Sequence, residues 1–265
     1  MRANETIVLV YLIYLLTAAW LLRLPRATRI KVTVITTIDA AALWWLASQS
    51  GAWMFVRDWQ AVLQILIGYW LSGLFFQAPM LRVEAFLSRG DRWLFERLGL
   101  NVAVARSPRM LLEILELAYL SVYFVLPLGF FVASAVDHNL DVSRYWSIVT
   151  LAELACYGVL PWIQTRPPRA LDDQMMIARR RVTVRRLNDA VLQRGSIQVN
   201  TFPSGHAAGA FATALAVAHV SPVAGCAFVF VACGIVIGSI VGRYHYAADS
   251  LAGVIVAVVA WLLFR

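Results

Sequence analysis

Residues 203–264 read PSGHAAGAFATALAVAHVSPVAGCAFVFVACGIVIGSIVGRYHYAADSLAGVIVAVVAWLLF. Three apolar runs, 205–220, 222–241 and 247–264, follow one another with only short breaks. A bilayer core takes about 20 mostly apolar residues per helix, so each run is read as a membrane span. Polar groups gather at the breaks: Ser204 and His206 at the start of the first run, Arg243, His245 and Asp249 around the start of the last. Histidines, an arginine and a carboxylate at the ends of hydrophobic segments point to phosphate chemistry at a membrane surface.

The same reading upstream gives spans at 6–24, 32–49, 59–77, 111–135 and 146–163, hence eight in all. The expected fold is an all-α polytopic transmembrane bundle. Composition agrees, with 61% hydrophobic and only 14% charged residues and a mean hydropathy of +0.71; soluble domains carry about a quarter charged residues. The first run has no clear small-residue cleavage site and is followed by seven more, so it is read as retained and not as a signal peptide. No repeat, low-complexity tract or appended soluble domain is expected. Residues 1–110 are read as N-terminal transmembrane helices with an interfacial segment, and 111–265 as the catalytic membrane core.

Residues 78–100 carry Arg82, Glu84, Arg89, Asp91, Arg92, Glu96 and Arg97. Each charge at a bilayer centre costs about 2.5–3.5 kcal/mol on insertion scales, which rules out a span. Interleaved Leu81, Phe86, Trp93, Leu94 and Leu98 predict amphipathic helices lying in the interface. Cys156, Cys226 and Cys233 fall within spans; an odd number of buried thiols predicts neither disulfide nor metal site.

With eight spans, the loops after the odd-numbered ones share a face that holds 19 of the 23 Lys and Arg residues. Basic loops stay cytoplasmic, so the motifs are expected on the cytoplasmic side of a cell (inner) membrane. Arginines scattered over membrane loops argue against nucleic acid as a partner, and suit anionic headgroups.

In Pro203-Ser204-Gly205-His206, serine is a favoured N-cap and glycine allows close approach. The N–H groups and dipole of a helix start attract anions, and His206 on the first turn could protonate a leaving oxygen. A capped helix whose histidine merely faces the interface fits this tetrapeptide equally well. His245 and Asp249, four apart, share one helix face. A carboxylate on one ring nitrogen fixes the tautomer and leaves the other to attack. Arg243 offers planar two-point geometry for phosphate oxygens. Gln164-Thr165-Arg166-Pro167-Pro168-Arg169 follows the fifth span, and its prolines hold Arg166 and Arg169 at the surface on the side of the histidines.

An upstream Arg-Pro, then Pro-Ser-Gly-His, then His-x-x-x-Asp, in that order, resembles the type 2 phosphatidic acid phosphatase superfamily, which includes the vanadium haloperoxidases. The resemblance covers about 145–265. It implies that His245 is the nucleophile that forms a phosphohistidine, His206 the general acid and base, and Asp249 the orienting carboxylate. It further implies that Arg166, Arg243, Ser204 and the backbone N–H of Gly205 hold the phosphoryl group, with no metal or other cofactor. Two positions depart from the family pattern. Val159 stands where a lysine is common and Ser239 where an arginine is common, and Arg243 and Arg169 are the residues that could replace those charges. The Arg-Pro-Pro-Arg and Arg-Tyr-His-Tyr forms look more like the inositol phosphorylceramide synthase branch, whose members transfer a headgroup between lipids.

The leading reading is a metal-independent lipid phosphate phosphatase acting on a membrane-embedded substrate. The alternatives are a lipid phosphoryl-headgroup transferase, and a transport or structural membrane protein that has kept the motifs. Asp39, Glu113, Glu116 and Glu153 stay outside the predicted site, and His138 and His219 fall on the opposite face. Residues 172–195 read equally as an interfacial helix gating the site or as a solvated basic linker. For the first three spans, a lipid entry path or a homodimer contact is open.

Overall fold

A computed structural model describes residues 1–171 and 182–265. Its helices are α1 (Ala3–Leu21), α2 (Arg26–Ala47), α3 (Met54–Gly73), α4 (Leu81–Arg92), α5 (Leu100–Arg106), α6 (Arg109–Val136), α7 (Val142–Gly158), α8 (Thr183–Gly195), α9 (Gly205–Val220), α10 (Pro222–Val241) and α11 (Ala247–Phe264). Among the described residues there is no strand, only an isolated bridge between Thr165 and Asn200.

Every expected span is a helix. Five of them, α1, α2, α6, α10 and α11, are long and apolar enough to cross a membrane on their own. The other three differ for visible reasons. α3 opens with Arg57 and Asp58, while α7 and α9 have only 17 and 16 residues. A 16-residue helix rises about 24 Å, short of a hydrocarbon core of about 30 Å. Such a helix is tolerated where protein rather than lipid surrounds its ends.

That is the position of α9, which packs against α6, α7, α10 and α11. Its buried side is built from Gly205, Ala207, Ala208, Gly209, Ala210, Ala212, Ala214 and Ala216. Small residues let helix backbones approach closely where lipid supplies no hydrophobic drive between helices. α7 is the second central helix and carries α1 and α3 on its outer side, so a continuous core joins helices from both ends of the chain. Large apolar side chains such as Phe124, Phe131, Val223 and Phe230 point outward, as lipid-facing positions require.

Two carboxylates inside this frame have partners from neighbouring helices. Glu5 is enclosed and accepts from Arg57 Nε at 2.6 Å, Arg57 Nη2 at 2.9 Å and Gln60 Nε2 at 3.2 Å. Asp39 accepts from Gln64 Nε2 at 3.0 Å. The loops after α3, α7 and α10 meet at one end of the bundle: Met80 N donates to Gln164 O at 2.7 Å, and Arg169 N to Arg243 O at 2.9 Å. This is the end on which the span count gathers the basic loops.

The charged segment after α3 is helical and amphipathic in the expected sense. Leu81, Phe86, Trp93 and Leu98 are exposed, while Glu84, Leu87, Asp91 and Phe95 turn inward. α8 is no solvated linker: Thr183 N and Val184 N donate to Glu113 at 2.7 and 2.8 Å, tying its start to α6. The first part of that segment, 172–181, lies outside the described residues.

Gly253 of α11 sets the closest approach. A Cβ there would lie 2.3 Å from the Ser204 carbonyl oxygen, a backbone atom that cannot rotate away. Gly253→Ala is therefore expected to cost about 1–3 kcal/mol, the usual penalty of overpacking. A lowered thermal midpoint of the detergent-purified protein would show it; an unchanged midpoint would contradict this packing.

Candidate active site

The Pro-Ser-Gly-His segment is built as a helix start. Ser204 caps α9, its Oγ accepting from Ala207 N at 3.3 Å. The Gly205 N–H, expected to face a phosphoryl group, donates instead to Thr201 Oγ1 at 3.3 Å. A Cβ on Gly205 would strike the Tyr157 ring at 2.4 Å, so the glycine is required by close packing against α7. His206 follows on the first turn.

The second motif is a tight link between α10 and α11. Arg243 adopts a left-handed backbone, φ 61°, unusual for a residue with a Cβ. The turn is held from both sides. Tyr244 N and His245 N both donate to Ser239 O, at 2.8 and 3.2 Å, and Gly242 O accepts from Arg185 Nη1 at 2.7 Å. Ser239 therefore offers its carbonyl to the loop, while its hydroxyl lies 3.3 Å from Ser250 Oγ. His245 Nδ1–H donates to Asp249 Oδ2 at 3.2 Å, and both side chains are buried. The backbone oxygen of Asp249 accepts from Ser204 N at 2.9 Å, which joins the two motifs.

The two imidazoles lie with centroids 5.3 Å apart and ring planes tilted by 54°, a spacing that one phosphoryl group could bridge. Behind His206 stands a column of rings. Tyr119 stacks on it at 5.4 Å, Tyr244 stacks on Tyr119 at 3.8 Å, and the Arg185 guanidinium covers Tyr244 at 4.3 Å. Tyr123 meets His206 edge-on at 6.1 Å. Glu116 secures the column by accepting from Tyr244 Oη at 2.5 Å, Arg185 Nη1 at 3.1 Å and Asn188 Nδ2 at 2.7 Å.

The arginines are held by carboxylates. Glu84 accepts from Arg166 Nε at 3.1 Å, Arg166 Nη2 at 2.9 Å and Arg166 N at 2.7 Å. Partial burial pulls the Glu84 carboxyl upward, but the Arg166 bonds and charge outweigh it and leave the group below its usual range. The pair thus stabilises the fold above the pH at which a free glutamate ionises, and is lost as pH falls through the lowered value. Arg243 pairs with buried Asp91, whose other oxygen accepts from Ala247 N at 2.9 Å. Burial outweighs these partners and leaves Asp91 above its ordinary value. The Arg169 guanidinium sits 5.5 Å from the centre of the Tyr244 ring, with no carboxylate partner among the described residues.

His245, His206, Asp249, Ser204, Gly205, Arg243 and Arg169 are therefore brought together, with Arg166 tied in because its carbonyl accepts from Tyr246 Oη at 3.1 Å. Val159 lies at the end of α7 and supplies no charge. Sequence reasoning missed Tyr119, Tyr123, Glu84, Asp91 and Arg185. It left Glu116 and Glu153 aside: Glu116 anchors the column, and Glu153 packs beneath Gly205 and Gly209. The only signal for Glu84 and Asp91 was their spacing of seven in a segment too charged to span. His219 lies at the far end, 2.7 Å from Arg144 Nη1.

Comparison with known proteins gives one positive result. The sequence model of the PAP2 superfamily matches residues 85–263. Among curated proteins and solved structures nothing matches. The match runs from within α4 almost to the end of α11 and takes in both motifs and the arginines around them. It spans more than half of the chain, and the protein belongs to the PAP2 superfamily.

Proposed function

We propose that this protein is an integral membrane phosphatase that hydrolyses a lipid phosphate through a phosphohistidine on His245. The observation that carries the reading is the close pair of imidazoles, one held by a buried carboxylate and the other at a helix start. Membership of the superfamily supports phosphatase-type chemistry on lipid phosphates at the family level.

In the first step the Nε2 lone pair of His245 attacks phosphorus. The P–O bond to the lipid breaks, and its electron pair leaves on the oxygen, which takes a proton from His206. In the second step water attacks the phosphohistidine and gives a proton to His206. The N–P bond breaks, its electrons return to Nε2, and phosphate departs. Asp249 accepts from Nδ1–H throughout, which orients the ring and stabilises the positive charge of the intermediate. Arg166, Arg169 and Arg243 face the charge that builds on the phosphoryl oxygens, the main electrostatic task at such a centre. The substrate is an amphiphile with a phosphomonoester or diphosphate at the interface.

His245→Ala should abolish turnover in protein that still folds, at some cost in stability because buried Asp249 loses its partner. Detergent-purified protein, offered a panel of lipid phosphates with and without EDTA, is expected to release phosphate in both cases, and the variant in neither. Activity retained by His245→Ala would sink the assignment. Conversion of lipid without free phosphate, on addition of an alcohol acceptor, would identify a headgroup transferase instead.

We infer from the basic loops at the motif end that this end lies on the cytoplasmic side of a cell (inner) membrane. Gly195 is exposed at that end, with open space where a side chain would go. Gly195→Cys, in a chain freed of Cys156, Cys226 and Cys233, should resist an impermeant thiol reagent in intact cells and react after lysis. Labelling of intact cells would put the site outside.

A further inference from the structure

Two buried carboxylates outside the motifs come from a single helix. Glu84 and Asp91 of α4 are only 4% and 2% exposed, and each grips an arginine of the site. They lie seven residues, or two turns, apart, so they share one face of α4. Glu84 takes Arg166 side-on through Nε and Nη2 and also accepts from its backbone N–H. A guanidinium has five donors in a fixed fork, and side-on pairing leaves those of Nη1 for another acceptor. Asp91 grips Arg243 and, through Ala247 N, the first residue of the helix that bears Asp249. Phe95, just beyond α4, lies 4.6 Å under the Arg243 guanidinium. The outer face of α4 exposes Leu81 and Phe86 instead.

An arginine side chain is rich in rotamers, and a phosphate would otherwise have to remove that freedom on binding. We propose that α4 is a positioning clamp: Glu84 and Asp91 fix Arg166 and Arg243 in one orientation before the phosphate arrives. The inference rests on the phosphatase reading of the site. Neither carboxylate touches substrate; each acts through its arginine.

The test is a pair of double-mutant cycles on the full-length protein in detergent, Glu84→Gln with Arg166→Gln and Asp91→Asn with Arg243→Gln. Two quantities are read: affinity for inorganic phosphate, from its shift of the thermal midpoint, and kcat and KM for the best lipid phosphate. Each carboxylate variant is expected to weaken phosphate binding and raise KM at least about fivefold, within the usual range of coupled neighbours. On the arginine-less background the same change should add nothing, and Glu84→Asp should restore part of the loss. Additive losses, or a lower midpoint with unchanged phosphate affinity, would overturn the clamp and leave the pairs as props of the fold. Glu84→Asp keeps the charge and decides the question if Glu84→Gln fails to fold. Phosphate bound and coupled as described, without turnover of any lipid phosphate, would leave the clamp standing and remove the phosphatase reading. A wild-type protein that binds no phosphate would overturn the clamp.

Discussion

Asp249 is the joint on which the site depends. Its side chain accepts from His245, and its backbone oxygen accepts from Ser204 at the start of α9. One residue therefore sets the distance between the two motifs. An unpaired carboxylate at this depth would be costly, so the histidine and the carboxylate specify each other. Gly253, one turn further along α11, lets the helix lie against the Ser204 carbonyl and so makes the joint possible. The central packing of small residues on α9 serves the same end, because it brings α7 and α11 in behind the motif.

Around this joint the structure trades buried charge against order. Glu84, Asp91 and Glu116 are all buried, and each is matched by an arginine. Removing one partner of a buried ion pair typically costs about 3–5 kcal/mol, because the other is left uncompensated. The left-handed Arg243 is a smaller burden of about 1–3 kcal/mol, carried by the surrounding hydrogen bonds. Such features persist only where neighbours over-determine them, and Arg243 is held through its backbone by Ile240 O and through its side chain by Asp91. His206 has a different support. Its ring is set by stacking on Tyr119, which fixes a plane without occupying a ring nitrogen.

Much of this could be read from the chain. Long apolar runs set the bundle helices, because a bilayer leaves the backbone no other partner for its hydrogen bonds. The spacing of His245 and Asp249 gave their hydrogen bond, since residues four apart on a helix are neighbours. The arginine partners were not legible. Glu84 and Asp91 appeared only as charges that forbade a span, and which arginine each would meet depends on how the loops after α3, α7 and α10 converge. Tyr119 was hidden for the opposite reason: in an apolar helix an aromatic residue looks the same whether it faces lipid or the site. Glu116, near a helix end, looked as ready for solvent as for a partner, and the arrival of α8 and of Tyr244 decides the matter.

The central claim is that phosphate passes through His245. Protein mixed with a lipid phosphate labelled at phosphorus and quenched in alkali, where phosphohistidine survives, tests it directly. The account predicts label on the peptide containing His245, appearing within one turnover and absent from His245→Ala. Turnover with no trapped label, or label on another residue, would contradict it.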